Sequence, residues 1–321
     1  MTAIDIPVEK WSGAVREVTL GSGDGGGTRG STVTVGGETT LPFLSFEGTL
    51  PHRPALAVEV VDVRPDDWSA ELRDVWGDVT GDAAAWAQRA VEAGADLIAL
   101  KLRGCHPDFG DLGSDDAVRT VDRVLAAVGV PLVVYGPGTA DKDNEVLVAV
   151  AEKTKGEQLA LGLCEEKNYR TIVAAALGNG HLVIAQTPID VNLAKQLNIL
   201  ISDMGLPLER VLMDPNTGAL GYGLEYTYSV MERLRLAALM GDTMTQQPMI
   251  CTVGEEAWRQ KEGRAANDAP AAWGALAERG VAWEVATAMT LVEAGADILV
   301  LRHPGSVAVL REALDDLAKG A

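Results

Sequence analysis

The chain is poor in cysteine, and this excludes most sites that depend on thiols. Cys105, Cys164 and Cys251 lie far apart among 321 residues, and none belongs to a C-x-x-C pair. An iron–sulfur cluster held by this chain alone would need about four thiolates. A disulfide framework would need an even and denser set. We therefore expect three small, buried, apolar side chains near strands.

Basic charge and long apolar runs are also scarce. There are 27 lysines and arginines against 46 aspartates and glutamates, so the formal net charge is −19. This balance makes nucleic acid and anionic membranes poor partners. No apolar run approaches the roughly 18 residues of a transmembrane helix, and no basic segment followed by an apolar one stands at the N-terminus. These features predict a cytoplasmic protein without a signal peptide.

From residue 55 onward the chain alternates short apolar runs with helical patterns. The eight runs are residues 55–61, 96–102, 131–135, 158–163, 181–185, 210–213, 248–252 and 297–301. Such alternation predicts parallel strands joined by right-handed crossovers. Eight units favour a closed (β/α)8 barrel, or TIM barrel, over an open sheet. The nearly identical strings at 91–100 and 292–301 support repeated helix–turn–strand units.

Residues 1–50 differ from this pattern. Two runs rich in Val and Thr, at 16–20 and 31–35, flank a glycine loop at 21–30. They predict a β-hairpin with a long turn that closes one end of the barrel or contacts a partner. We therefore divide the chain into a hairpin extension, residues 1–50, and a (β/α)8 barrel, residues 51–321.

Two stretches interrupt the barrel pattern. An acidic insertion occupies residues 62–82, and a polar, alanine-rich segment occupies residues 261–271. We expect the second segment to be a surface loop before a helix at 273–293. The other helices are expected at 83–93, 115–128, 144–153, 191–204, 225–240 and 306–317, with one more opening at Asn168 and Tyr169.

In a barrel of this type, sites form where the strands end at their carboxyl side. The polar candidates there are Lys101, Arg103, Tyr135, Gly136, Glu165, Glu166, Asn168, Gln186, Thr187, Asp190, Asn192, Asp214, Asn216, Thr252, Arg302 and His303. The set has several amides and few general bases. The sequence also lacks G-x-S-x-G, H-E-x-x-H, Walker and dinucleotide motifs. By its residues alone, the barrel resembles a binding surface more than a self-sufficient enzyme.

Three of the polar residues allow a specific interpretation. His106 has other possible ligands in its own loop, but their spacing is unlike that of zinc sites, which disfavours a metal there. His303 precedes a proline at a strand end and is better suited to anchoring the loop than to acting as a base. Lys101 could form a Schiff base in a lyase-type barrel, although the nearby Arg103 favours a charged rim residue.

Residues 211–226 are the most informative stretch. An apolar run ends at Asp214-Pro215, and Gly218, Gly221 and Gly223 follow before a long helical pattern. Glycines at this place permit sharp turns or the close approach of a flat ligand. A plain strand-to-helix connection needs glycine as well, so the loop alone does not distinguish the two.

Particular strings carry a family resemblance. They are residues 192–200, 214–226, 229–236 and 250–258, with shorter strings at 27–30, 36–37, 41–43 and 302–304. Together they resemble the small subunit of the corrinoid iron–sulfur protein, also called the delta subunit of the acetyl-CoA decarbonylase/synthase complex. The resemblance covers nearly the whole chain and matches least well in the acidic insertion and at 261–271.

The resemblance implies a (β/α)8 barrel paired with a large subunit in a heterodimer. The large subunit would carry the iron–sulfur cluster and a corrinoid-binding domain, and the corrinoid (a cobalamin) would lie between that domain and the open end of this barrel. The complex would carry a methyl group from methyltetrahydrofolate, through transient contacts with a methyltransferase, to acetyl-CoA synthase in the reductive acetyl-CoA pathway.

On this interpretation the chain is a methyl-carrier subunit with no catalytic residue and no metal ligand of its own. The residues expected to contact the corrinoid are Thr187, Asn192, Asp214, Asn216, Thr217, Gly221, Tyr222, Gly223, Arg302 and His303. The glycines would then permit close approach of a flat macrocycle. The alternative is an independent pterin-binding methyltransferase barrel, in which Asp214, Asn216 and Asn192 would hold the pterin ring.

Overall fold

A closed barrel of eight parallel strands forms the body of the protein. The computed structural model describes residues 6–22, 26–265 and 269–320. Two short antiparallel strands, β1 (Val18–Leu20) and β2 (Val33–Val35), precede the barrel. The barrel strands are β3 (Ala55–Val61), β4 (Leu97–Lys101), β5 (Leu132–Tyr135), β6 (Ala160–Cys164), β7 (Leu182–Gln186), β8 (Val211–Asp214), β9 (Met249–Cys251) and β10 (Ala296–Leu301). They follow one another around the barrel in chain order, and β10 pairs with both β9 and β3. The predicted TIM barrel is confirmed.

Helices surround the strands. They are α1 (Ala70–Trp76), α2 (Ala83–Glu92), α3 (Ser114–Ala127), α4 (Ala140–Lys153), α5 (Tyr169–Asn179), α6 (Val191–Asp203), α7 (Leu224–Leu239), α8 (Val253–Arg259), α9 (Lys261–Arg264), α10 (Leu276–Glu293) and α11 (Pro304–Gly320). Within the described ranges, none of them combines the length and apolar character that crossing a membrane would need.

The barrel strands are apolar throughout because both of their faces are covered. Successive side chains alternate between the lumen and the helices. Ala55 and Ala57 on β3 belong to the cluster that fills the lumen, whereas Leu56 and Val58 belong to the cluster under the helices. Glu59 continues the lumen-facing set and is almost fully buried. The lumen is thus apolar near the amino ends of the strands and charged near their carboxyl ends.

The N-terminal hairpin closes the amino end of the barrel, as one of the two sequence interpretations expected. Val18, Leu20 and Val35 are buried against the lumen cluster. The backbone N–H of Gly21 donates to the carbonyl of Gln158 over 3.1 Å, just before β6. The hairpin therefore seals this end and leaves the carboxyl end as the open mouth. Part of the glycine loop between β1 and β2 lies outside the described residues.

The prediction of a plain surface loop at 261–271 was wrong in its first part. Lys261–Arg264 forms the helical turn α9. The Arg279 guanidinium fixes this turn, since its Nε donates to the carbonyl of Glu262 over 2.6 Å. The partner is fifteen or more positions away along the chain, so local composition could not reveal it. Residues 266–268 lie outside the described ranges.

Candidate functional site

A cavity of about 470 Å³ opens at the carboxyl ends of the strands. We call it the mouth cavity. Each barrel strand, or the residue directly after it, contributes at least one side chain to its wall, among them Glu59, Lys101, Tyr135, Leu163, Gln186, Asp214, Thr252 and Arg302. The site therefore lies where the barrel topology predicts it.

Four charged side chains compensate one another in this cavity. The Arg302 guanidinium donates to Glu59 Oε1 over 2.7 Å, and Lys101 Nζ lies 3.5 Å from Glu59 Oε2. Lys101 also forms an ion pair with Glu255 on α8. Two carboxylates thus balance two cations within one wall, so the quartet as a whole has no formal net charge.

These contacts determine the charge states of Lys101 and Glu255. Burial alone would lower the pKa of Lys101, but the carboxylates of Glu59 and Glu255 raise it above its usual value. The Lys101 ammonium in turn lowers the pKa of Glu255 to about 2. A lysine that is held protonated by two carboxylates is a poor nucleophile, so this arrangement disfavours the Schiff-base interpretation.

Asp214 forms a second polar group on the opposite wall. Its Oδ2 accepts a hydrogen bond from Gln186 Nε2 over 3.1 Å, and its Oδ1 accepts one from the backbone N–H of Asn216 over 2.8 Å. Burial raises the pKa of Asp214 to about 6. The hydroxyl of Tyr135 is also buried and has no hydrogen-bond partner among the described residues. The wall thus contains an unused hydroxyl near a carboxyl group that titrates close to neutral pH.

The acidic insertion covers one side of the mouth. Trp68 lies under the Arg302 guanidinium, 4.4 Å from its carbon to the ring centroid. Trp76 Nε1 donates to the carbonyl of Arg302 over 2.8 Å. Asp67 forms an ion pair with Arg103 over 2.7 Å. The insertion and Glu59 therefore both hold Arg302 in place.

Glu284, a buried residue on α10, anchors the loop that carries Arg302 and His303. It accepts hydrogen bonds from the backbone N–H of Arg302 and from Ser306 Oγ, both over 2.6 Å, and from Trp258 Nε1 over 2.9 Å. His303 stacks on Trp258 with ring centroids 5.5 Å apart. Its Nδ1 accepts from the backbone N–H of Gly305 over 2.9 Å.

Burial lowers the pKa of His303 to about 4, so its ring is neutral at pH 7. A neutral ring whose Nδ1 already accepts a backbone hydrogen bond agrees with the expected role of a loop anchor. His303 does not reach the mouth cavity, and Arg302 is the member of this pair that does.

The glycines after β8 are explained by the folding of their own loop. Gly221 and Gly223 have φ of 74° and 99°, which non-glycine residues rarely adopt. A Cβ on Gly218 would lie 2.7 Å from the backbone of Gly223. The loop turns back on itself through contacts of Ala219 with Tyr222 and Gly223. All three glycines would therefore be needed without any ligand.

The ten residues expected at the corrinoid occupy three places. Asp214 and Arg302 line the mouth cavity. Asn192 is exposed in the first turn of α6, and Asn216, Gly221 and Tyr222 are exposed on the loop that follows β8, with Gly223 half-buried in the same loop. Thr187, Thr217 and His303 are buried behind this surface, and the Thr217 hydroxyl already accepts the backbone N–H of Thr252 over 2.9 Å. We call the exposed side chains of Asn192, Asn216 and Tyr222 the rim.

Three carboxylates of the site were not singled out from the sequence. Glu59 left a signal, because it is the one charged residue in the apolar run 55–61. No local feature of the sequence marks Glu255 or Glu284, because each lies on an ordinary helical pattern and contacts its partners only in the folded barrel. The three cysteines are buried and unpaired, as expected. In the described part of the chain, no group of three or more His, Cys, Asp or Glu is arranged to hold a metal ion.

Comparison with known proteins decides the family. The family described as CO dehydrogenase/acetyl-CoA synthase delta subunit matches residues 17–317. The chain belongs to this family. A delta-subunit relative from Archaeoglobus fulgidus, named acetyl-CoA decarbonylase/synthase complex subunit delta, is 39% identical over 318 residues, covering 96% of this chain and 70% of the relative. The delta 1 subunit of Methanosarcina thermophila is 38% identical over 312 residues, covering 95% of this chain and 71% of that relative.

Solved structures of dihydropteroate synthase share the fold of this delta-family chain. The enzyme of Coxiella burnetii in complex with pteroic acid aligns with a TM-score of 0.58 at 12% identity, covering 95% of this chain and 99% of that chain. The enzyme of Xanthomonas albilineans in complex with 7,8-dihydropteroate aligns with a TM-score of 0.57 at 18% identity, covering 85% of this chain and 95% of that chain. At such low identities the likeness shows the barrel fold alone.

Proposed function

We propose that this chain is the small subunit of a heterodimer and that its mouth covers a corrinoid held by the large subunit. In this role it serves methyl transfer from methyltetrahydrofolate toward acetyl-CoA synthase. The single observation that carries the proposal is the rim. Asn192 is exposed in the first turn of α6, which follows β7, and Asn216 is exposed on the loop after β8. The two strands are neighbours in the barrel, with Gln186 of β7 opposite Asp214 of β8.

The rim amides are free to bind a ligand. Neither the Asn192 nor the Asn216 side chain makes a hydrogen bond to another described residue, whereas the backbone N–H of each is capped by an aspartate, Asp190 or Asp214. The first turn of α6 and the loop after β8 are therefore held in shape while the two side-chain amides remain exposed. Tyr222, on the same loop as Asn216, is 47% exposed and adds an aromatic face.

This donor and acceptor set fits a corrinoid. A corrin ring is flat and carries amide side chains around its edge, and primary amides pair well with other amides because each both donates and accepts. When bound, the corrinoid supplies the chemistry of carrying the methyl group. The chain's own part is to bind the ring edge through the rim, to orient the ring over the mouth and to exclude water from one of its faces.

Charged side chains in the wall of the mouth cavity hold one another in place. Two of its cations, Lys101 and Arg302, are compensated by Glu59 and Glu255, and a third, Arg103, pairs with Asp67. Because these side chains are held by one another, they need not move when the neighbouring subunit approaches or leaves. The barrel can then act as a rigid cover.

The partners and the location follow the same proposal. The large subunit would hold both the corrinoid and the iron–sulfur cluster, and the methyltransferase and acetyl-CoA synthase would make transient contacts. The chain would act as a non-catalytic carrier subunit in the cytoplasm, with residues 1–50 as an extension and 51–321 as the barrel. The buried, unpaired cysteines support the assignment of the cluster to the partner.

The test uses the heterodimer assembled from this chain and its large subunit. Changing Asn192→Ala and Asn216→Ala together should weaken corrinoid retention by about tenfold, because two amide contacts at about 0.5–1.5 kcal/mol each would be lost. Retention is followed by visible absorption after gel filtration. Gln196→Ala, which removes an exposed amide one turn further along α6, is the matched control and should retain the corrinoid. Unchanged retention in the double variant would refute the rim assignment.

An independent pterin-binding enzyme is the second candidate, and one observation favours it. Asp214 and Gln186 place a carboxyl group and an amide side by side in the mouth cavity, a pair that could bind the edge of a pterin ring. Asn192 and Asn216, which this alternative also needs, lie outside the cavity. If the isolated chain methylates free cobalamin from methyltetrahydrofolate at enzymatic rates, the second candidate is correct.

A further inference from the structure

The wall of the mouth cavity contains a buried hydroxyl that no other described residue satisfies. Tyr135, the last residue of β5, lines the cavity and is 3% exposed, and its hydroxyl has no hydrogen-bond partner in the described part of the chain. The ring is closely packed, since a Cβ on Gly162, its neighbour on β6, would lie 3.3 Å from Tyr135 Cδ1. Buried hydroxyls in native proteins nearly always have a partner. The hydroxyl of Tyr135 is therefore a donor that is available to a group entering the cavity.

A carboxyl group with spare acceptor capacity lies near this hydroxyl. Burial and, next, the charge of Asp214 raise the pKa of Tyr135, which places the two groups near one another. Gln186 Nε2 donates to Asp214 Oδ2 over 3.1 Å, and the backbone N–H of Asn216 donates to Oδ1 over 2.8 Å. Each carboxylate oxygen can accept a second hydrogen bond. The cavity wall thus offers one free donor, on Tyr135, and one acceptor that is held in a fixed orientation.

The charges around the Tyr135 hydroxyl favour a neutral group over an ion. The carboxylates whose charges act on it are Asp214, Glu59 and Glu255, and they would repel an anion. Lys101 Nζ lies 5.7 Å from the centroid of the Tyr135 ring and would repel a cation. An ammonium group also has no acceptor for the hydroxyl hydrogen. A primary amide is neutral and has both an acceptor and two donors, so it matches the free donor and the acceptor at once.

We propose that one amide side chain of the corrinoid enters the mouth cavity, where its carbonyl accepts from the Tyr135 hydroxyl and its NH2 group donates to Asp214. The inference rests on the proposed function, because it takes the corrinoid to lie over the mouth. The amide side chains of a corrin project from both faces of the ring, so one that is directed toward the barrel can enter while the rim binds the ring edge. Two separate attachments then fix the rotation of the ring over the mouth.

Tyr135→Phe tests the hydroxyl by two measurements. In the free chain it removes a buried polar group without a partner, so the melting temperature should stay the same or rise. In the heterodimer with the large subunit, the dissociation constant of cobalamin, followed by visible absorption, should rise about two- to tenfold because one hydrogen bond is lost. Tyr228→Phe, a half-buried tyrosine on α7 that does not line the mouth cavity, is the control and should leave the dissociation constant unchanged.

Cobalamins in which a single amide has been hydrolysed to a carboxylic acid identify the group that enters. The measurement is made at about pH 8, where Asp214, with its pKa of about 6, is ionised. One positional isomer should bind the wild-type heterodimer about tenfold or more weakly than cobalamin, because its carboxylate faces that of Asp214. Asp214→Asn keeps the shape of the side chain and should remove most of this difference. If every isomer binds like cobalamin, the proposal is wrong.

The outcomes also separate this proposal from the proposed function. If adding the wild-type chain to the large subunit does not tighten cobalamin binding, both fail. If the wild-type chain tightens binding and Tyr135→Phe tightens it equally, only the amide pocket is refuted. Methyltetrahydrofolate binding by the isolated chain that Tyr135→Phe weakens would assign the pocket to a pterin and would likewise overturn the proposal.

Discussion

Arg302 donates a hydrogen bond to Glu59 over 2.7 Å inside the mouth of the barrel. The two residues are 243 positions apart, yet they stand at the ends of β10 and β3, which pair where the barrel closes. Their contact joins the last strand to the first and fixes the charged wall of the mouth. Because Lys101 shares the same carboxylate, a change at Glu59 affects both cations at once.

Replacing this carboxylate should destabilise the fold. Glu59→Gln keeps the shape but leaves Lys101 and Arg302 with one compensating carboxylate fewer. We expect a loss of about 1–3 kcal/mol in the free energy of unfolding, typical of a buried polar group that loses its partner. Urea denaturation measures it. Arg123→Gln is the control, since it breaks only the exposed ion pair with Asp82 and should cost less than about 1 kcal/mol. Equal effects from the two changes would contradict the account.

Asp214 should make stability depend on pH. Its pKa of about 6 in the fold exceeds the ordinary value of 3.8, so the folded state binds the proton more tightly than the unfolded state. The contribution of protonated Asp214 to the free energy of unfolding is therefore greatest below pH 4, and it is lost as pH rises toward and through 6. As pH rises from about 5 to about 7.5, the free energy of unfolding of Asp214→Asn should increase by about 1 kcal/mol relative to that of the wild type. The estimate uses 1.36 kcal/mol per pKa unit.

The comparison with the wild type is essential in this experiment. Burial raises the pKa of Asp62 and Asp143 to about 6 as well, and it also raises the pKa of Glu256 and Glu284, so the wild type loses stability with rising pH through several carboxyl groups. Only the difference between variant and wild type reports on Asp214. A difference that stays constant with pH would show that Asp214 is ionised like an exposed aspartate.

Glu284 should prove the most sensitive position near the site. Glu284→Ala leaves the backbone N–H of Arg302, the Ser306 hydroxyl and the Trp258 indole without their acceptor. We expect a loss of about 3 kcal/mol or more, since each abandoned buried donor costs about 1–3 kcal/mol. Hydrogen exchange in a peptide covering 302–306 should accelerate. A stable variant with normal exchange there would remove Glu284 from the account.

Gly254 should tolerate no side chain, in contrast to a glycine in open space. A Cβ at Gly254 would lie 2.5 Å from the backbone nitrogen of Arg302 and 2.8 Å from Glu284 Oε1. Gly254→Ala should therefore cost about 1–3 kcal/mol by overpacking. Gly178→Ala on α5 meets no atom within 4 Å and should stabilise by about 0.5–1 kcal/mol, because alanine suits a helix better. Thermal unfolding of the pair distinguishes the two environments.

The fold was predictable because its signals are local and repeated. All eight barrel strands fall on the apolar runs, and the hairpin strands β1 and β2 fall inside the two runs rich in Val and Thr. The errors lie where a distant contact decides the local structure. The turn α9 is held by Arg279 from α10, and α1 is an unforeseen helix within the acidic insertion whose Trp76 bonds to Arg302.

The site was predictable only as a region. The rule that sites form at the carboxyl ends of strands correctly placed Asp214, Arg302 and Lys101 in the mouth cavity. It could not separate side chains that enter the cavity from those that turn away, because Thr217 and Asn216 are neighbours in the chain but only one is buried. The glycines of the same loop also proved necessary for its own turns, so they no longer point to a flat ligand by themselves.

If this barrel covers a corrinoid on its partner, it should shield one face of the ring from small ligands. The most direct measurement is the rate at which cyanide binds the corrinoid of the large subunit, followed by visible absorption, with and without a saturating amount of this chain. We expect the chain to slow cyanide binding by about tenfold or more, and Asn192→Ala with Asn216→Ala to restore part of the rate. An unchanged rate in the presence of the chain would contradict the claim.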